Sequence, residues 1–88
     1  MDIYEGTLLY GNYDEDAFKL KRIKNIYTET ALNEQQLTDL YTYLEKHAND
    51  NEGQVISLYD QLLLKLSPDE VKVLLSDLAE ILERYPSV

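Results

Sequence analysis

The chain has 88 residues, no cysteine, 44% apolar residues and a formal net charge of −9. That length has room for a single domain with a single core, and without cysteine neither disulfide staples nor thiolate metal sites can contribute. The apolar share excludes a disordered acidic tail, while the acid surplus repels phosphate backbones and anionic lipids, which speaks against direct nucleic-acid and membrane binding.

Residues 1–13 contain Gly6, Gly11-Asn12 and an apolar run at Leu8, Leu9 and Tyr10. They read as an irregular or extended N-terminal arm, with a short hairpin about Gly11-Asn12. For residues 15–27, Leu20, Ile23, Ile26 and Tyr27 suit one face of a helix capped by Asp14. The alternation Phe18-Lys19-Leu20-Lys21 suits an edge strand instead, and Phe18 lies off the helical stripe. Helix is the reading adopted.

A capping signal stands at Asn33-Glu34-Gln35-Gln36, with Leu32 and Leu37 placed to form a hydrophobic staple. The stripe Leu37, Leu40, Tyr41, Leu44 and Ala48 continues that helix until the polar connector His47 to Asn51. From Glu52 to Leu66 a stripe of Val55, Leu58, Tyr59, Leu62 and Leu66 is widened by Ile56, Leu63 and Leu64. Apolar residues over so much of the circumference predict the central helix of a bundle. Ser67-Pro68-Asp69-Glu70 then combines an N-cap serine, a proline at the first helical position and a capping-box glutamate. Val71, Leu74, Leu75, Leu78, Ile81, Leu82 and Tyr85 form its core stripe, with Asp77 assigned to the water side and Pro86 as the stop. The predicted fold is all-α: a small bundle of three to four antiparallel helices over residues 14–88, preceded by the arm at 1–13.

The charge is unevenly spread. Residues 1–17 carry five acids and no base, and residues 18–28 carry Lys19, Lys21, Arg22 and Lys24 and no acid. The remainder holds twelve acids against four bases. The basic island either clamps an acidic partner or phosphate, or neutralises neighbouring acids through surface pairs worth under about 1 kcal/mol each.

No catalytic set can be assembled from the residue types. His47 is the single histidine, set beside a polar turn, where it suits the satisfaction of helix C-terminal carbonyls. Calcium at Ala48–Gly53 would place Ala48 and Tyr59 where an EF-hand loop needs acidic ligands. Asp14-Glu15-Asp16 needs no metal, because acids in a first helical turn answer the helix dipole. The expectation is a protein without enzymatic activity, metal or cofactor.

Eight tyrosines stand against one phenylalanine and no tryptophan. Tyr27, Tyr41, Tyr59 and Tyr85 fall on the core stripes, whereas Tyr4, Tyr10, Tyr13 and Tyr43 fall on none. Exposed tyrosines beside acids suit a recognition surface, since tyrosine offers a large contact area at small entropic cost. The candidate partner-binding residues are therefore Tyr4, Tyr10, Tyr13, Asp14, Glu15, Asp16, Asp39, Tyr43, Glu45, Asp50 and Glu52. Together they predict a small acidic protein-binding module: an inhibitor, immunity or regulatory protein docking on a larger basic or nucleic-acid-handling protein, with DNA mimicry as its sharpest form. The alternative is a structural or assembly subunit that homodimerises or joins a larger complex. The opening Met1-Asp2-Ile3-Tyr4-Glu5 has no basic n-region, and the stretch Leu58 to Leu66 is far short of the roughly 20 residues that span a bilayer. A cytoplasmic setting is expected, and the Asn-, Ile-, Tyr- and Lys-rich composition suits an AT-rich bacterial or phage genome.

Overall fold

The computed structural model describes residues 3–14, 17–57 and 63–84. Strands β1 (Ile3–Glu5), β2 (Leu9–Tyr13), β3 (Phe18–Ile23) and β4 (Ile26–Leu32) form an antiparallel sheet in chain order. Helix α1 (Glu34–Lys46) follows, then an antiparallel pair of β5 (Gln54–Ser57) and β6 (Leu63–Leu66), then helix α2 (Pro68–Arg84). The fold is mixed α/β, and the expected helical bundle is overturned by two antiparallel sheets. The buried residues of the sheets and of both helices join in a single hydrophobic cluster.

The N-terminal arm is instead a hairpin of the main sheet. Its turn lies at Gly6 to Leu8, where the Gly6 N–H donates to the Leu9 carbonyl at 2.8 Å, and Gly11-Asn12 sits inside β2. Gly11 is required there because a Cβ would lie 2.2 Å from the Lys19 carbonyl oxygen.

Residues 18–32 are β3 and β4, and the reason they imitate a helix is visible in the register. Phe18 and Leu20 point inward, Lys21 and Arg22 both escape full burial, and Ile23 turns inward again. Register shifts against both neighbours occur at this point. Such an irregularity moves a two-residue alternation by one step. Leu20 and Ile23 thereby acquire a spacing of three, the two-residue turn to Ile26 repeats it across the hairpin, and three is also the spacing of a helical face. Tyr27, assigned to the core by that spacing, is 81% exposed on the outer face of β4.

The second departure is Glu52 to Leu66. Ile56, Leu64 and Leu66 are buried, while Val55 and Leu63 are 58% and 68% exposed. The wide apolar girth was the sum of two alternating strands read as one helix. Gly53 permits the turn from α1 into β5: its φ is +75°, and a Cβ would lie 2.1 Å from the Leu66 carbonyl oxygen. Leu58, Tyr59 and Leu62 of the predicted stripe lie outside the described residues, as do Tyr85 and Pro86.

Both capping signals form as expected. Asn33 Oδ1 accepts from the Gln36 N–H at 2.8 Å, and Gln36 Oε1 accepts from the Asn33 N–H at 2.9 Å. At α2, Ser67 Oγ accepts from the Glu70 N–H at 3.2 Å and Glu70 Oε1 accepts from the Ser67 N–H at 2.9 Å. α1 buries Leu37 and Leu44, and α2 buries Val71, Leu74, Leu78 and Ile81.

Asp77, assigned to water by the sequence, is 3% exposed. Its Oδ2 accepts from the N–H groups of Leu8 at 2.7 Å and Leu9 at 3.0 Å. Its Oδ1 accepts from the Thr7 N–H at 3.2 Å and lies 3.3 Å from the Tyr4 hydroxyl. The Tyr4 proton is shared with Glu80 Oε1 at 3.0 Å. Burial pushes the Tyr4 phenol well above its ordinary range, and the adjoining Glu80 and Asp77 carboxylates push it further. A second tie joins the Tyr13 hydroxyl to the Ile81 carbonyl at 2.9 Å.

Two stability outcomes follow. Asp77→Asn replaces an acceptor oxygen with an amide donor facing backbone N–H groups, and should cost about 3 kcal/mol in urea unfolding. Glu70 is held below the usual carboxylate range by the Ser67 N–H and by Lys24. A depressed folded-state value gives stability that is present above the unfolded value of about 4.3 and lost as pH falls through the folded one. Glu70→Gln should therefore flatten part of the stability loss between about pH 5 and pH 3 while keeping the helix.

Candidate functional site

The N-terminal capping box sets α1 so that Gln36, Asp39, Leu40 and Tyr43 lie along one edge of the helix. That edge faces the end of β4 and the length of β5, and between them runs a groove of about 320 Å³. Leu32, Leu40, Val55 and Ile56 supply its apolar lining, with Ser57 at one end. Asp39 is the charged residue on the lining. Its Oδ1 accepts from Gln35 Nε2 at 2.8 Å, within one helical turn.

Tyr43 is fixed by a chain of polar contacts. Its hydroxyl donates to Gln54 Oε1 at 2.7 Å, and Gln54 Nε2 donates to Asp50 Oδ2 at 2.9 Å. The same Asp50 oxygen lies 2.9 Å from His47 Nδ1, and the His47 and Tyr43 rings meet at 4.7 Å between centroids. The turn from α1 to β5 thus locks the groove's aromatic wall. Residues 48–53, tested above for calcium, are that turn, with the Asp50 N–H donating to the His47 carbonyl at 3.1 Å. Residues 33–57 hold Glu34, Asp39, Glu45, Asp50 and Glu52 against Lys46, and of these Asp39 lines the groove.

The structure separates the predicted contact residues into distinct places. Asp39 and Tyr43 share the groove, and Asp50 supports it through Gln54. Glu45 and Glu52 are exposed nearby in sequence, on α1 and on its following turn. Tyr4 and Tyr13 are buried, and both rings meet Phe18 edge-on, at 6.4 Å and 5.3 Å. They hold the core and are not offered to a partner. Tyr10 is half-buried with the Arg22 guanidinium 5.6 Å from its ring centroid. Asp14 is exposed and pairs with Lys19 at 3.2 Å, while Glu15 and Asp16 lie outside the described residues.

The three lysines of the basic island meet acids within the fold, while Arg22 lies against the Tyr10 ring. Besides the Asp14–Lys19 pair, Lys21 meets Glu29 at 3.0 Å and Lys24 meets Glu70 at 3.1 Å. Lys21 holds the Glu29 carboxyl below its usual range. On the outer sheet face Glu5, Tyr10, Arg22 and Tyr27 follow one another across the four strands.

The groove's strand wall is not legible in the sequence because helical periodicity places Val55 and Ile56 on the broad stripe of a single helix. Alternation at Gln54–Ser57 and Leu63–Leu66 was the available signal, and each run is only four residues long. Among the described residues no helix is long and apolar enough to cross a membrane, and no group of three or more His, Asp or Glu side chains could hold a metal ion. No protein-family model, curated protein or solved structure matches the chain.

Proposed function

We propose that this protein is a binding module that docks the α1–β5 face on a basic surface of a larger protein, as an inhibitor, immunity or regulatory protein would. One observation carries the reading: a preformed apolar groove whose charged lining residue is a carboxylate, in a chain of net charge −9. Apolar lining supplies affinity through burial, and the surrounding negative field speeds encounter with a cationic partner. The ion pairs at Lys19, Lys21 and Lys24 support the same direction, because they leave the acid surplus as the dominant field of the molecule. The cysteine-free sequence suits a reducing compartment such as the cytoplasm.

A second reading, an assembly subunit or homodimer, is favoured by the exposed Val55 and Leu63. They lie on the outward face of the β5–β6 pair, where Ser57 is the cross-strand partner of Leu63. Sedimentation at rising concentration separates the two readings. Docking on a different protein predicts a constant monomer mass, whereas a mass rising toward the dimer favours the assembly reading.

The docking reading is tested by affinity capture at low salt, with the wild type and an Asp39→Asn, Glu45→Gln, Asp50→Asn triple variant. The wild type should retain a basic protein that elutes with salt. Against that protein the triple variant should associate about tenfold more slowly, with a smaller change in dissociation rate. Equal association rates and equal salt dependence for the two forms would end the reading.

A further inference from the structure

We propose that the α1–β5 groove is a seat for an arginine side chain of the partner. The assignment rests on the docking reading above and narrows it to one chemical group.

The lining argues for a long side chain with an apolar stem and a cationic end. Leu32 and Ile56 are almost wholly buried and close the floor, and Val55 and Tyr43 stand exposed as walls. A volume of about 320 Å³ lies at the small end of the range for ligand pockets, enough for one extended side chain. The methylenes of arginine or lysine can lie along such a surface while the head reaches polar groups.

The polar atoms then choose the head group. Gln36 Oε1 is committed to the Asn33 N–H. Asp39 Oδ1 takes one hydrogen bond from Gln35, and a carboxylate has lone pairs for more. The Tyr43 hydroxyl spends its proton on Gln54, which leaves its oxygen as an acceptor. Asp39 and Tyr43 thus present acceptors, with the only charged group of the described lining on the first, and a cationic donor complements that pair. Arginine fits better than lysine for two reasons. The guanidinium is more weakly hydrated than an ammonium, so moving it onto an apolar lining costs less. Its several N–H groups can meet Asp39 and Tyr43 together, and its plane can lie against the Tyr43 ring.

The seat is also held ready. The Tyr43–Gln54–Asp50–His47 chain fixes the aromatic wall, and the capping box fixes the first turn of α1 below Asp39. A site ordered before binding loses little entropy when it is filled.

The test is a titration of the full-length ¹⁵N-labelled chain, followed by amide chemical shifts, with three capped tripeptides. They are acetyl-Ala-Arg-Ala-amide and its counterparts with lysine or norleucine at the centre. The arginine peptide should move the amides of Asp39, Leu40, Tyr43 and Val55, with lysine about fivefold weaker and norleucine weaker still. Asp39→Asn should cut the arginine affinity about tenfold and leave the norleucine response unchanged, with the spectrum elsewhere intact. Equal arginine and lysine affinities, a preference for norleucine, or shifts confined to other surfaces would each overturn the arginine seat. Captured basic protein still held by wild type and Asp39→Asn alike, with no peptide response, would overturn the seat and leave the docking reading standing. Loss of capture as well would overturn both.

Discussion

A single buried carboxylate ties the two layers of this protein together. Asp77 reaches from α2 into the β1–β2 turn and accepts hydrogen bonds from three successive backbone N–H groups, beside the Tyr4 hydroxyl. A turn at the end of two strands leaves N–H groups that no strand can satisfy, and the helix above this one partly covers it. The carboxylate resolves both difficulties, since its own charge is compensated by the donors it organises. Gly6 is part of the same arrangement: a Cβ there would fall 2.7 Å from Asp77 Oδ1 and 2.5 Å from the Tyr4 hydroxyl. The 5.6 Å approach of Arg84 to the Tyr4 ring closes the outer side.

With α2 anchored to β1 and β2, α1 packs against α2 and the end of β4, and its other edge is left to meet β5. The groove is a product of that placement: one wall comes from a helix and the other from a strand that pairs only with β6 among the described residues. The tyrosines divide along the same line. Tyr4 and Tyr13 carry their hydroxyls to α2 inside the core, whereas Tyr43 carries its own to Gln54 at the surface. A phenol can serve either purpose, because its ring is apolar and its hydroxyl needs a partner wherever it is buried.

The charge pattern acquires a meaning that its totals do not show. The three lysines of the basic island pair with Asp14, Glu29 and Glu70, whereas most acids of α1 and its following turn meet no lysine or arginine in a described ion pair. Exposed pairs of this kind add little stability. The acid surplus remains, and Asp39 brings one of its carboxylates to the lining of the groove.

Local chemistry alone determined the two helix starts, because Asn33 with Gln36 and Ser67 with Glu70 satisfy orphan N–H groups within one turn of chain. It also determined the net charge, the lack of thiol chemistry and the amphipathic face of α2 from Val71 to Ile81. Tertiary structure decided the rest. The phase shift at Lys21 and Arg22 exists only through pairing with β2 and β4, and it lets a strand carry inward residues at a spacing that, in sequence, reads as a helical face. The β5–β6 pair likewise turns one broad apolar segment into a buried row and an exposed row, a distinction that arises only when two strands face each other. Asp77 and the groove depend on contacts between residues about 70 and about 15 positions apart, and sequence periodicity carries information only over the few residues of its own element.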